Sequence, residues 1–165
     1  MPAAKVGPDA SIAARHARRL STLLVVSQAL SGTLNLKAAI QRVLTTLIRH
    51  HSVVRGMVTI VRDGELLVEA AEGFEDRART VRFKVGEGIT GKVVESGKPI
   101  VVPRVSREPA FLNLAPRRPD HPRQELSFIC VPITLNRTAV GALGVDLRFK
   151  PERDYDSSMK FFGIV

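Results

Sequence analysis

The stretch Val85–Val94, VGEGITGKVV, decides how the rest of the chain is read. Gly86, Gly88 and Gly91 match the G-x-G-x-x-G pattern of a dinucleotide-binding turn. Gly86, Gly91 and Lys92 match most of the phosphate-binding loop G-x-x-x-x-G-K-[ST]. Both motifs need strand, loop and helix in a parallel crossover, so that free backbone N–H groups meet the anion. The flanking residues read otherwise. Arg55–Arg62, an Asp63-Gly64 turn and Glu65–Ala71 form a β-hairpin pattern. Thr80–Val85 alternates as a third strand, with Val81, Phe83 and Val85 on one side. Val93 stands where the magnesium-binding hydroxyl belongs. Glu108, near the spacing of a ribose-binding acid, lies in a proline-flanked segment. The stretch is therefore predicted to be a turn. Gly86 and Gly88 swing the chain off a strand, Thr90 caps or supports a helix over Ile89–Glu95, and Gly91 permits close packing. A small anion could still sit at that helix end, where N–H groups are free.

Outward from this turn, Ser11 starts a helix to about Leu30, and a second helix runs over Leu36–His51. Lys98–Pro103 is extended, and Pro103 suggests a sheet edge. Arg104–Arg123 has no periodicity and contains Pro109, Pro116, Pro119 and Pro122; a loop of this length is functional or disordered. Leu126–Ile133 and Ala139–Leu147 form a second hairpin around Asn136-Arg137, and a last helix starts at Lys150-Pro151. The expected fold is α/β of the α+β kind, a central antiparallel sheet of five to six strands flanked by helices. Residues 1–10 read as a flexible N-terminus and 11–165 as one domain. Apolar Met159, Phe161, Phe162 and Ile164 at the end suggest a truncated final helix, hence a fragment of a longer protein.

Composition narrows the functions. A chain of 165 residues, 44% hydrophobic and 25% charged, suits one globular domain. The single cysteine, Cys130, excludes an internal disulfide and suits a reducing cytoplasm; within Phe128–Val131 it reads as a buried small hydrophobe. No apolar run approaches the ~20 residues of a membrane span. Arg15, Arg18 and Arg19 precede an apolar run interrupted by Ser21, Thr22, Ser27 and Gln28, which argues against a signal peptide. Leu20, Leu23/Leu24, Ser27, Leu30 and Leu34 recur instead as a helical stripe, available to the sheet or to a second chain. The net charge of +9 invites a nucleic-acid reading, yet the basic clusters are not interleaved with stacking aromatics and there is no Trp. His50 and His51 lack metal-ligand partners at useful spacing. Asp146, alone in an apolar strand, must be satisfied by a hydrogen bond.

The segment Val85–Pro103 resembles the central signature of the GAF domain, and Val131-Pro132-Ile133 with Ala139–Val145 resembles its last two strands. More narrowly, Val102–Asn113, Glu125–Ile133 and Gly141–Phe149 resemble the N-terminal domain of nitrogen-fixation activators of the NifA type. The resemblance implies a non-enzymatic, cytoplasmic sensory domain of a sigma-54-dependent transcriptional activator. ATP, DNA and polymerase would then be handled by domains absent from this fragment. It implies no cofactor, but a possible small effector such as 2-oxoglutarate. A dicarboxylate suits arginine forks, so the expected ligand-binding residues are Arg82, Phe83, Ile89, Thr90, Arg104, Arg107 and Phe111. The alternative is an interaction module controlled by a NifL- or PII-type partner, with homodimerisation available to either. Methionine sulfoxide reduction, known in some GAF-like domains, wants paired reactive thiols, and cyclic-nucleotide binding wants pocket aromatics. This chain is poor in both.

Overall fold

The computed structural model describes residues 8–31, 36–110 and 125–165. Helix α1 (Pro8–Ser31) and helix α2 (Leu36–His50) lead into strands β1 (Val53–Arg62) and β2 (Glu65–Glu72). A 3-10 turn over Asp76–Thr80 precedes the short strand β3 (Arg82–Lys84). Helix α3 (Gly88–Ser96), strand β4 (Ile100–Val102) and a second 3-10 turn (Val105–Arg107) follow. Strands β5 (Leu126–Leu135) and β6 (Thr138–Arg148) and helix α4 (Tyr155–Ile164) complete the fold. The sheet has order β3-β2-β1-β6-β5-β4 with every pairing antiparallel, so β4 is indeed an edge. Both hairpin turns put two successive residues at positive φ, Asp63-Gly64 and Asn136-Arg137, the geometry that matches strand twist.

Alternation along the strands builds two apolar layers. In β5, Ile129 and Val131 face the layer closed by α1, α2 and α4, where Leu44, Leu47, Leu147 and Phe161 are buried. Phe128 and Cys130 face the opposite layer with Leu66, Phe83, Ile89 and Val93. A Cβ on Gly144 would come 2.8 Å from the Phe128 ring, so that ring lies against bare backbone of β6.

Several local expectations change. The third strand is only Arg82–Lys84, because Asp76–Thr80 folds into the 3-10 turn; Phe83 is buried while Val85 is exposed. Helix α1 already begins at Pro8, whose missing N–H and preset φ suit a first helical turn. Helix α4 starts after Asp154, not at Pro151: Arg153 N–H donates to the Lys150 carbonyl in a turn, and the Asp154 carboxylate caps the helix through Ser157 N–H at 2.9 Å. The stripe on α1 is also rotated. Thr22 and Val26 are buried and Leu23 packs on the core, whereas Leu20 and Leu24 are 62% and 64% exposed. Arg19 turns inward: its guanidinium donates to Ser157 Oγ and sits 5.5 Å from the Phe161 ring centre. Ser27, Leu30 and Leu34 lie outside the described side chains.

His51 joins the same seam. Its Nε2 is 2.5 Å from Thr22 Oγ1, and its ring lies 4.6 Å from that of Phe161. Burial, then the neighbouring Arg19 and His50 charges, lower its pKa from 6.5 to about 4. The folded state therefore disfavours the imidazolium. Stability is complete above the unfolded pKa and declines as pH falls from about 6.5 towards about 4. After discounting for partial exposure, the loss is about 1–2 kcal/mol. His51→Gln, which keeps a partner for Thr22, is expected to flatten the pH dependence of urea midpoints across that window.

Candidate functional site

The glycine stretch is a turn into a helix. Gly86 and Gly88 have φ of 86° and 60°. Gly86 N–H donates to the Gly91 carbonyl at 2.9 Å, and Gly91 N–H donates to the Glu87 carbonyl at 3.0 Å. Glu87, not Thr90, stands at the N-cap; its carboxylate accepts from Lys84 N–H at 3.0 Å and does not bond into the helix. Thr90 instead lies beside the Cys130 thiol, where it lowers that group's pKa against the effect of burial. With every described strand antiparallel, the parallel crossover that a nucleotide loop requires is not formed around these glycines.

The two faces of the sheet are closed differently. Three helices cover one. Among the described residues, the other has the nine-residue α3 together with the segment that joins β2 to β3 and residues 105–110 after β4. On this second face sits a buried ion pair. Arg55 shares the side of β1 used by Met57, two residues on, and Asp146 is its direct partner on β6. Arg55 Nη2 and Nε approach Asp146 Oδ2 at 2.9 and 3.0 Å, with the two side chains 5% and 0% exposed. The Phe74 ring centre lies 4.9 Å from the guanidinium carbon, close enough for a cation–π contact. The hydrogen bond expected of Asp146 is thus an ion pair. Arg55 was not legible as its partner, although the signal existed: two lone charges of opposite sign in otherwise apolar strands.

Of the residues read as ligand-binding, Phe83 and Ile89 are brought together within the α3-side layer, with Thr90 at its margin. Arg82 alternates away from Phe83 and pairs with Glu65 at 3.2 Å, in solvent. Arg104 lies half-buried over Phe149, 4.4 Å from its ring centre, and Arg107 is exposed at the end of the second 3-10 turn. Phe111 lies outside the described residues, as do Arg117, Arg118 and Arg123. The ends of the proline-rich segment are tied together: Ser106 Oγ and N–H donate to the Glu125 carboxylate at 2.5 and 3.2 Å. The Ser106 hydroxyl is the main cause holding the Glu125 carboxyl below its ordinary pKa. Beside it, Tyr155 OH of α4 meets Ser127 Oγ at 2.8 Å, and Ser127 donates to the Pro103 carbonyl at 2.8 Å. A short hydrogen-bonded chain thus joins the β4–β5 segment to the last helix. Cys130 is fully buried, which pushes its thiol up to about 12 against the lowering influence of Thr90. Such a thiol is not a nucleophile at neutral pH. No cluster of three metal-ligating side chains occurs among the described residues, nor is any described helix long and apolar enough to cross a membrane.

A six-stranded antiparallel sheet with helices closing one face, and a glycine turn opening a short helix on the other, defines the GAF architecture. The GAF family model matches residues 35–159, and the chain belongs to this family. It is similar to regulators of nitrogen fixation. It is 35% identical over 150 residues to the Nif-specific regulatory protein of Azospirillum brasilense, covering 88% of this chain and 24% of that protein. It is 40% identical over 144 residues to the nitrogen fixation protein VnfA of Azotobacter vinelandii, covering 84% and 26%. The chain thus spans about a quarter of the length of these relatives. Among solved structures, the GAF domain of A. aeolicus nlh2 superposes with a TM-score of 0.79 at 22% identity, with 91% of each chain covered. The free methionine-R-sulfoxide reductase of Neisseria meningitidis superposes at 0.72 and 18% identity, covering 99% of this chain and 90% of that one. Both show a shared fold.

Proposed function

We propose that this domain is the cytoplasmic sensory head of a NifA-type, sigma-54-dependent activator of nitrogen-fixation genes, and that it senses a small anionic metabolite such as 2-oxoglutarate. The observation behind the sensing role is the asymmetry of the sheet. Among the described residues, the α1–α2–α4 face is closed by three helices, whereas the α3 face combines one short helix, a buried Arg55–Asp146 pair and residues 103–110, which bear Arg104 and Arg107 and are tied to Glu125. A dicarboxylate entering there would meet guanidinium groups able to bind it bidentately. The Pro103–Ser127–Tyr155 contacts would then carry a change in that segment to α4. Coupling of this kind typically amounts to about 1–3 kcal/mol between sites. The domain acts by binding, not catalysis: its one thiol is buried, so the thiol redox chemistry of the reductases that share the fold has no accessible cysteine here.

Calorimetric titration with 2-oxoglutarate, with cyclic nucleotides as controls, tests the reading. Saturable binding that weakens at least tenfold, about 1.4 kcal/mol, in Arg104→Ala or Arg107→Ala is expected. Silence from the folded domain would sink it. The second reading is control by a NifL- or PII-type protein or through a homodimer. Its support is the exposed Leu20 and Leu24 on α1 and Ile164 on α4, where Leu20 and Ile164 border one surface cleft.

A further inference from the structure

Charge is distributed unevenly along this chain. Between Ala10 and Arg62 there is no Asp or Glu, but there are eight Lys or Arg residues. Three of the eight have defined roles: Arg19 against Ser157 and Phe161, Arg55 with Asp146, and Arg62 with Glu69. Arg15, Arg18, Lys37, Arg42 and Arg49 are exposed on α1 and α2, and none forms an ion pair among the described residues. Glu72, at the end of β2, does reach α2, but Gln41 engages its carboxylate.

These cations frame a feature of shape. A cleft of about 520 Å³ lies between α1 and α2, lined by Arg18, Ser21 and Thr22 from one helix and by Thr46, Arg49 and His50 among those from the other. No acidic or large apolar side chain lines it. Thr45 and Thr46 donate their hydroxyls to carbonyls one turn back in α2, and Thr22 is shared with His51. The side chains left to meet a ligand are therefore the Arg18 and Arg49 guanidinium groups, the His50 ring and the Ser21 hydroxyl. Arg49 also lies in the last turn of α2, where its charge offsets the helix dipole. That local role does not account for Arg18 on the other helix, or for Arg42 two turns before Arg49. At 1.5 Å per residue those two stand roughly 10 Å apart along one stripe.

We infer that the α1–α2 seam is a docking surface for an acidic helix of a partner protein. The seam between two packed helices is a groove of the kind into which a third helix fits. Carboxylates seven residues apart on that helix would repeat at the Arg42–Arg49 spacing, with Arg15 and Arg18 on the far bank. Charge complementarity selects the partner, since the two banks together carry four arginines and no acid. A helix rather than nucleic acid suits a seam with no Phe, Tyr or Trp in its lining. The inference supplies a surface for control by a protein partner and is independent of metabolite binding on the α3 face.

The test uses this chain and a fluorescein-labelled 20-residue Ala/Glu peptide with glutamates at i, i+3 and i+7, followed by anisotropy at low and moderate salt. Arg18→Glu with Arg49→Glu is expected to weaken binding at least tenfold without shifting the melting temperature by more than a few degrees. Lys98→Glu with Lys150→Glu, the same change in net charge at exposed positions elsewhere, is expected to change it less than threefold. Equal loss in both pairs would overturn the inference by showing diffuse attraction. So would equal affinity for a proline-interrupted peptide of the same composition, or for a 20-base-pair duplex that competes at the seam.

Discussion

Asp146→Ala is expected to destabilise the domain by about 3–5 kcal/mol, because it leaves the Arg55 guanidinium buried without its counter-charge. Both side chains are within 5% of full burial and lie between β1 and β6 at the centre of the sheet. Water cannot replace the lost carboxylate there without opening the α3-side layer. The size of that loss does not measure what the pair contributes. Removing both charges, as Arg55→Met with Asp146→Leu, restores an apolar layer of similar volume and should recover most of the stability. Urea unfolding of the two single variants and the double variant forms the cycle. A double variant as unstable as the singles would mean that the pair holds this layer together through more than its mutual charge. A single Asp146→Ala loss below about 1 kcal/mol would show that the site is wetter than its burial implies.

Gly91→Ala is expected to cost about 2–4 kcal/mol through steric displacement alone. A Cβ there would lie 2.3 Å from the Lys84 carbonyl oxygen and 3.0 Å from Gly86 N, both backbone atoms of the turn that α3 closes upon. Neither can swing aside as a side chain would. The turn would have to open, breaking the Gly86–Gly91 and Gly91–Glu87 hydrogen bonds. In thermal denaturation this corresponds to a fall of roughly 6–12 °C for a domain of this size. Gly97→Ala is the control. It has φ of 64° at the C-cap of α3 but nothing within 4 Å of its added Cβ, so only the left-handed strain of about 1–2 kcal/mol applies. Similar losses at the two positions would mean that conformation, not close approach, is what glycine supplies in VGEGITGKVV.

That motif shows where reading the chain succeeds. Period-two alternation, an Asp63-Gly64 turn and a misplaced Val93 were enough to separate a hairpin-flanked turn from a nucleotide loop, since each of these signals is local to a few residues. The order of elements followed from the same local rules. Boundaries set by capping were less legible: Asp154 outcompetes Pro151 as the start of α4, and Glu87 rather than Thr90 stands at the N-cap of α3.

The chain alone determined the α+β composition, the antiparallel hairpins, the burial of Cys130, and membership of a family whose model matches residues 35–159. Each of these depends on local propensity and on the segregation of apolar side chains. The tertiary structure decided what depends on register and rotation. It paired Arg55 with Asp146 across residues far apart in the chain. It turned Arg19 inward and left Leu20 and Leu24 outward. It sent Arg82 to Glu65, away from Phe83. A one-residue step in a strand or a 100° step on a helix moves a side chain to another surface, and only packing against distant elements selects which surface that is.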